Sequence, residues 1–129
     1  FERWVENGLY LAHNTLLNDA YTGDFLKVWS ERFPGGVDVW VLNNLASGNG
    51  DLHPPAQGRH EGNRTVSRNE LIDYGGIALR LTSHSSLRGG IRVPGDARGI
   101  DLAPTAEFVF PAGSRAIRLT SSLAPGAFQ

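Results

Sequence analysis

Four ionisable residues crowd a polar stretch near the middle of the chain: Asp51, His53, His60 and Glu61, with Asn63 and Arg64 beside them. Imidazole and carboxylate are the ligand types that zinc and manganese take, so a Zn or Mn site is one chemistry open to this cluster. Its spacing matches no metal-ligand motif, and on an extended chain the adjacent His60 and Glu61 point to opposite sides. Solvated loop residues are the plainer reading. A calcium site on Asn49 and Asp51 would have a single charged ligand, whereas a hard cation takes several oxygens. No metal is assigned.

A second group joins an aromatic ring to amides: Trp40, Asn43 and Asn44, with Trp29 nearby in sequence. A Trp on the outward face of a strand can stack on the C–H face of a sugar while Asn side chains read its hydroxyls. The competing reading makes Trp40 a cover for a second hydrophobic layer. Asn63-Arg64-Thr65 has the form of a glycosylation sequon. Covalent catalysis finds little footing. Ser83, Ser85 and Ser86 surround His84, but neighbours on one strand cannot form a nucleophile–base pair, and no nucleophile elbow, phosphate loop or dinucleotide fingerprint is present.

The elements that must position these residues are written in alternation. Ala78-Leu79-Arg80-Leu81-Thr82-Ser83 returns as Ala116-Ile117-Arg118-Leu119-Thr120-Ser121, with a shorter relative at Gly90-Ile91-Arg92-Val93-Pro94. This period of two marks half-buried strands. Val37, Val39 and Val41 alternate with Asp38, Trp40 and Leu42 in the same way. Strands are predicted near 25–30, 37–42, 77–83, 90–93, 99–102, 106–110 and 115–120. Gly and Pro punctuation separates the later ones. A helix is predicted over 13–19. A short helical turn is predicted after Ser67, with Glu70 at the capping-box position. Residues 43–64 read as a loop of about twenty residues, a length that is uncommon unless functional. Inward candidates are Val37, Val39, Val41, Ile77, Leu79, Leu81, Ile91, Val93, Phe108, Phe110, Ile117 and Leu119. Arg80, Arg92 and Arg118 would then form an outward stripe suited to acidic groups, unless each pairs with a local acid such as Asp96, Asp101 or Glu107.

Composition narrows the class. With 129 residues, 40% hydrophobic and 19% charged, the chain fits one globular domain. A net charge of −1 argues against a general nucleic-acid binder or a polybasic membrane surface. No apolar run approaches the ~20 residues of a membrane span. Cysteine is absent, which removes disulfides, thiol catalysis and zinc–thiolate sites together. Lys27 is the only lysine beside eleven arginines. The opening on Phe1 reads as a mature product or a piece of a longer protein. The expected architecture is a single mainly-β domain over 1–129, a sandwich or partly closed barrel of short antiparallel strands with a short helical N-terminal element.

Two resemblances add to this. Ile91-Arg92-Val93-Pro94, Gly99-Ile100-Asp101-Leu102 and Glu107-Phe108-Val109-Phe110-Pro111-Ala112-Gly113 resemble the closing strands of ADP-ribosyltransferases. That likeness implies NAD as cofactor and Glu107 as the residue that polarises the nicotinamide ribose. Thr105 stands where that family carries a second acidic or amide residue. The pattern from Trp40 to the paired Arg-Leu-Thr-Ser segments looks like accessory β-domains of bacterial Hint-type and glycan-related surface proteins. It implies a non-catalytic, extracellular or cell-surface module. The expected function is therefore binding of a glycan or protein partner by Trp40, Asn43, Asn44, Asp51, His53, His60 and Glu61, with Arg80 and Arg118 favouring acidic groups and no cofactor. The alternatives are an NAD-dependent enzyme using Glu107 and a structural assembly subunit.

Overall fold

A computed structural model describes residues 8–32, 37–53, 58–74, 78–109, 112–118 and 123–128. The chain is mainly β, but its plan is a winding one. β1 (Gly8–Ala12), β2 (Thr15–Asn18) and β3 (Leu26–Lys27) form a first turn, followed by a 3-10 turn at Ser30–Arg32. β4 (Asp38–Leu42), β5 (Leu45–Gly48) and β6 (Leu52–His53) form a second, and β7 (Arg59–Glu61) and β8 (Arg64–Val66) begin a third. Each strand lies parallel to its counterpart in the next turn, giving sheets β1-β4-β7, β2-β5-β8 and β3-β6. This is the plan of a parallel β-helix.

After Val66 the plan changes. A 3-10 turn at Arg68–Glu70 follows Ser67, whose N–H donates to the Glu70 carboxylate at 2.9 Å. Three antiparallel pairs follow: β9 (Leu71–Tyr74) with β10 (Ala78–Leu81), β11 (Asp96–Ala97) with β12 (Ile100–Asp101), and β13 (Ala106–Phe108) with β14 (Ser114–Ala116).

The corners of the winding explain its register. Between β1 and β2, β4 and β5, and β7 and β8 the chain turns sharply through His13 (φ 54°), Asn43 (φ 56°) and Gly62 (φ 69°). Left-handed backbone is open to glycine and tolerated by Asn and His. The next residue is asparagine each time: Asn14, Asn44 and Asn63. They stack as a ladder. The Asn44 Oδ1 accepts from the Asn14 N–H at 2.9 Å, and the Asn63 Oδ1 from the Asn44 N–H at 3.0 Å. The amide of Asn44 donates back to the Leu11 carbonyl at 2.9 Å, and that of Asn63 to the Val41 carbonyl at 2.6 Å. Each rung thus satisfies corner backbone groups of its neighbour that no strand pairing reaches.

Alternation along β4 buries Val39 and Val41 completely and leaves Asp38 and Trp40 half-buried. A second cluster joins Leu45 and Val66 to Leu71, Leu79, Leu81 and Ala124. The first hairpin and residues 123–128 therefore cover one face of the β2-β5-β8 sheet. The segment 123–128 is pinned by Gly126 N–H to the Asn43 carbonyl (2.8 Å) and Ala127 N–H to Thr15 Oγ1 (3.0 Å).

Several expectations change. The 13–19 segment is a corner and β2, because its apolar residues serve a sheet rather than a helical face. The 43–64 loop is largely strand: β5, β6 and β7 lie in it. Parallel pairings number five of the eight among the described residues, and none of the sheets closes into a barrel. Among the described residues the twin Arg segments do not pair: β10 pairs with β9 and β14 with β13, and 90–93 forms no strand. Val93 is 46% exposed, while Val37, Ile91 and Ile117 are half-buried. Ile77, Phe110, Leu119 and the Phe108 side chain lie outside the described residues.

Candidate functional site

Parallel register places chemistry from three distant segments side by side. Tyr10 lies opposite Trp40, and Trp40 opposite Arg59. All three project from the face that Val39 and Val41 do not. The Tyr10 and Trp40 rings meet edge to face at 5.8 Å, and the Arg59 guanidinium lies over the Trp40 ring at 4.4 Å. Asp38 locks the row: its carboxylate accepts from Trp40 Nε1 at 2.9 Å and from the Tyr10 hydroxyl at 3.3 Å, and pairs with Arg98 at 3.6 Å. Desolvation and the Asp38 carboxylate hold the Tyr10 phenol above its ordinary pKa, so it remains a neutral donor. Arg59 also pairs with Glu61 at 3.3 Å, both side chains about half-exposed. The row is an aromatic platform with fixed donors and acceptors along its rim.

Next to it, where β7 turns into β8, lies a cleft of about 200 Å³ lined by Asn43, Glu61, Gly62, Arg64, Ile91 and Arg92. Asn43 forms its floor. The Asn43 amide donates to the Arg92 carbonyl at 2.7 Å, and the Asn43 N–H to the Glu61 carbonyl at 2.8 Å. A larger open depression of about 440 Å³ lies beside the β5-β8 ends, rimmed by the Asp19–Arg68 ion pair at 2.9 Å.

The expected site residues scatter. Trp40 is on the platform, with Glu61 at its edge. Asn43 and Asn44, expected to read hydroxyls, are 3% and 0% exposed and committed to the corner ladder. Asn63 is likewise engaged through both side-chain atoms. Asp51 and His60 are exposed, and the His53 side chain lies outside the described residues. Among the described residues, no group of three His, Cys, Asp or Glu could hold a metal. Arg80 is half-buried with its guanidinium over the Phe128 ring at 5.6 Å, whereas Arg118 is exposed beyond β14. Glu107 is buried on β13 and paired with Arg115 across the hairpin. Neither cleft contains it. Trp29, half-exposed, carries Lys27 and Arg32 over its ring at 5.7 and 5.3 Å, away from Trp40's partners.

Tyr10, Arg59 and Arg98 escape a reading of local sequence, because each reaches Trp40 or Asp38 from a distant segment; Asp38 lies two residues before Trp40 on β4. One signal does exist. His13-Asn14, Asn43-Asn44 and Gly62-Asn63 each put a residue tolerant of positive φ before an Asn. Their unequal spacing, 30 and then 19 residues, hides the repeat. Among the described residues, no helix is long and apolar enough to cross a membrane. No family model matches the chain, nor does any curated protein or solved structure.

Proposed function

We propose that this chain is a non-catalytic binding module that receives a glycan on the Tyr10–Trp40–Arg59 platform. The observation that carries the reading is the register stack itself. Two aromatic rings and a guanidinium stand in one half-exposed row, the phenol and indole N–H held by Asp38 and the guanidinium by Glu61. Arg59 covers one face of the Trp40 ring, so a pyranose would stack through its C–H groups on the aromatic surface left open, with its hydroxyls toward the Asp38 carboxylate and the Arg59 and Arg98 donors. Preorganisation favours binding here, since Asp38 has already fixed the rings before a ligand arrives. Glu107 lies in a buried ion pair on another sheet, so nothing there favours the NAD-dependent reading. A glycan ligand suits an extracellular or surface protein.

The test is a glycan panel followed by titration of the best binder. Trp40→Ala should weaken binding by about tenfold or more. Tyr21→Ala, at a 98% exposed ring outside the platform, should leave it unchanged. Absence of any glycan ligand, or equal affinity in Trp40→Ala, removes the reading.

A further inference from the structure

The cleft at the third corner points to a second site, and we infer that it binds an oxyanion, carboxylate or phosphate, between Arg64 and Arg92. The two cations reach it from different parts of the chain. Arg64 opens β8, directly after the Asn63 corner, and Arg92 comes from the segment laid across that corner. Neither has an acidic partner among the described residues. Arg64 donates one hydrogen bond, to the Asn63 carbonyl at 2.9 Å, and Arg92 is exposed. The remaining charge in the cleft, Glu61, is already engaged by Arg59 at 3.3 Å. Among the described residues, the cleft therefore holds two guanidinium groups without an ion-pair partner and one carboxylate already paired.

Its frame is rigid where a binding site needs it to be. Asn43, 3% exposed, holds the Arg92 carbonyl from below and takes the Gly126 N–H on its own carbonyl. Gly62 has no side chain to fill the space: a Cβ there would overlap Asn43 Oδ1 and touch Ile91. The cleft is polar, and about 200 Å³ admits a single carboxylate or phosphate group and the atoms bearing it. Two forked guanidinium groups meet such an oxyanion with paired, charge-assisted hydrogen bonds. This inference is independent of the glycan platform, which uses other side chains.

The experiment titrates the intact chain with inorganic phosphate and, separately, with glucuronate, following backbone amide shifts by NMR. Saturable shifts at Gly62, Ile91 and Arg92 with either probe support the site, and the stronger probe names the anion type. Arg64→Ala and Arg92→Ala should each weaken binding by about tenfold, because a charge-assisted bond is lost. Glu61→Gln should tighten it, and Arg118→Ala, an exposed cation outside the cleft, should leave it within about twofold. All four side chains are exposed, so the variants should keep the wild-type spectrum. No saturable shift with either probe, or the same loss in Arg118→Ala as in Arg92→Ala, overturns the site. A glycan bound equally by wild type and Arg92→Ala but lost in Trp40→Ala would separate the two surfaces.

Discussion

The wound half of the molecule and its hairpin half solve the same problem by different means. In 8–66, strands far apart in sequence stack in parallel, and the corners between them need help from side chains. Asn14, Asn44 and Asn63 supply it. In 96–118 the strands pair with near neighbours: Asp96 with Asp101 and Glu107 with Arg115. Such hairpins close short loops and place few demands on side chains. The contrast teaches where function can sit. A hairpin brings together residues that were already close. Stacked turns bring together Tyr10, Trp40 and Arg59, and their third corner meets a later segment that sets Arg92 in one cleft with Arg64.

The sharpest way to break this contrast is to remove the middle rung. Asn44 has no exposure and makes hydrogen bonds both up and down the ladder. Asn44→Ala leaves the Asn14 N–H and the Leu11 carbonyl without their partner in a site water does not reach. The expected loss is about 3–4 kcal/mol, measured by urea denaturation. In the hairpin half, Asp96 accepts the Gly99 N–H at 2.7 Å in an exposed turn. Asp96→Ala should cost about 0.5–1 kcal/mol, because water replaces the lost acceptor. Similar losses from both would mean the ladder is no more than a surface feature.

The same contrast explains what could be read from sequence. Alternation is a local signal, so Val39, Val41, Leu79 and Leu81 are recognisable as buried, and strands at 38–42, 78–81 and 106–108 fall where expected. The mainly-β class and the capping-box contact of Ser67 with Glu70 are legible for the same reason. Pairing is not local. The echo of Arg80 in Arg118 looks like a repeat, yet Arg80 lies on β10 and Arg118 lies beyond the end of β14. The repeat that shapes the fold is two residues long and unevenly spaced. The polar composition of 43–64 resembles a loop because the third turn is polar on both faces: Arg59, His60, Glu61 and Arg64. Trp40 is identifiable as a platform residue from its place on β4. Tyr10, Arg59 and Arg98 are not, since each comes from a distant segment.

A gentler probe compares two glycines, both with left-handed backbone. Gly62 (φ 69°) sits in the ladder corner, where an added Cβ would overlap Asn43. Gly99 (φ 83°) sits in the β11–β12 turn with open space around it. Gly99→Ala should cost only the backbone strain, about 1 kcal/mol. Gly62→Ala adds a clash with a buried side chain and should cost about 2–3 kcal/mol in total. The difference between the two melting curves measures how tightly the corner is packed. If Gly62→Ala also abolishes phosphate shifts at Arg92 while Gly99→Ala does not, the corner and the anion cleft are one frame.

The smallest effect is expected from acid, and it too should belong to the wound half. His13 is 7% exposed at the first corner, with Nε2 3.1 Å from the Asn43 amide nitrogen. That amide already donates to the Arg92 carbonyl, so its other hydrogen faces His13 and Nε2 must accept. Protonation would set donor against donor. Burial lowers the His13 pKa, and backbone groups of Gly126 and Ala124 offset this in part. The strap 123–128 carries no ionisable side chain, and the charged residues that line the cleft with Asn43 are Glu61, Arg64 and Arg92. The unfolded chain, with an imidazole near 6.5, therefore binds more protons than the folded one. Stability should be complete above that pH and fall as pH drops below it toward the folded value. His13→Asn keeps a residue that tolerates positive φ and removes the titration. Denaturation midpoints measured from pH 7.5 to 5 should decline in the wild type and flatten in the variant. Parallel slopes would place the acid sensitivity elsewhere and show that the Asn43 corner does not depend on a neutral imidazole.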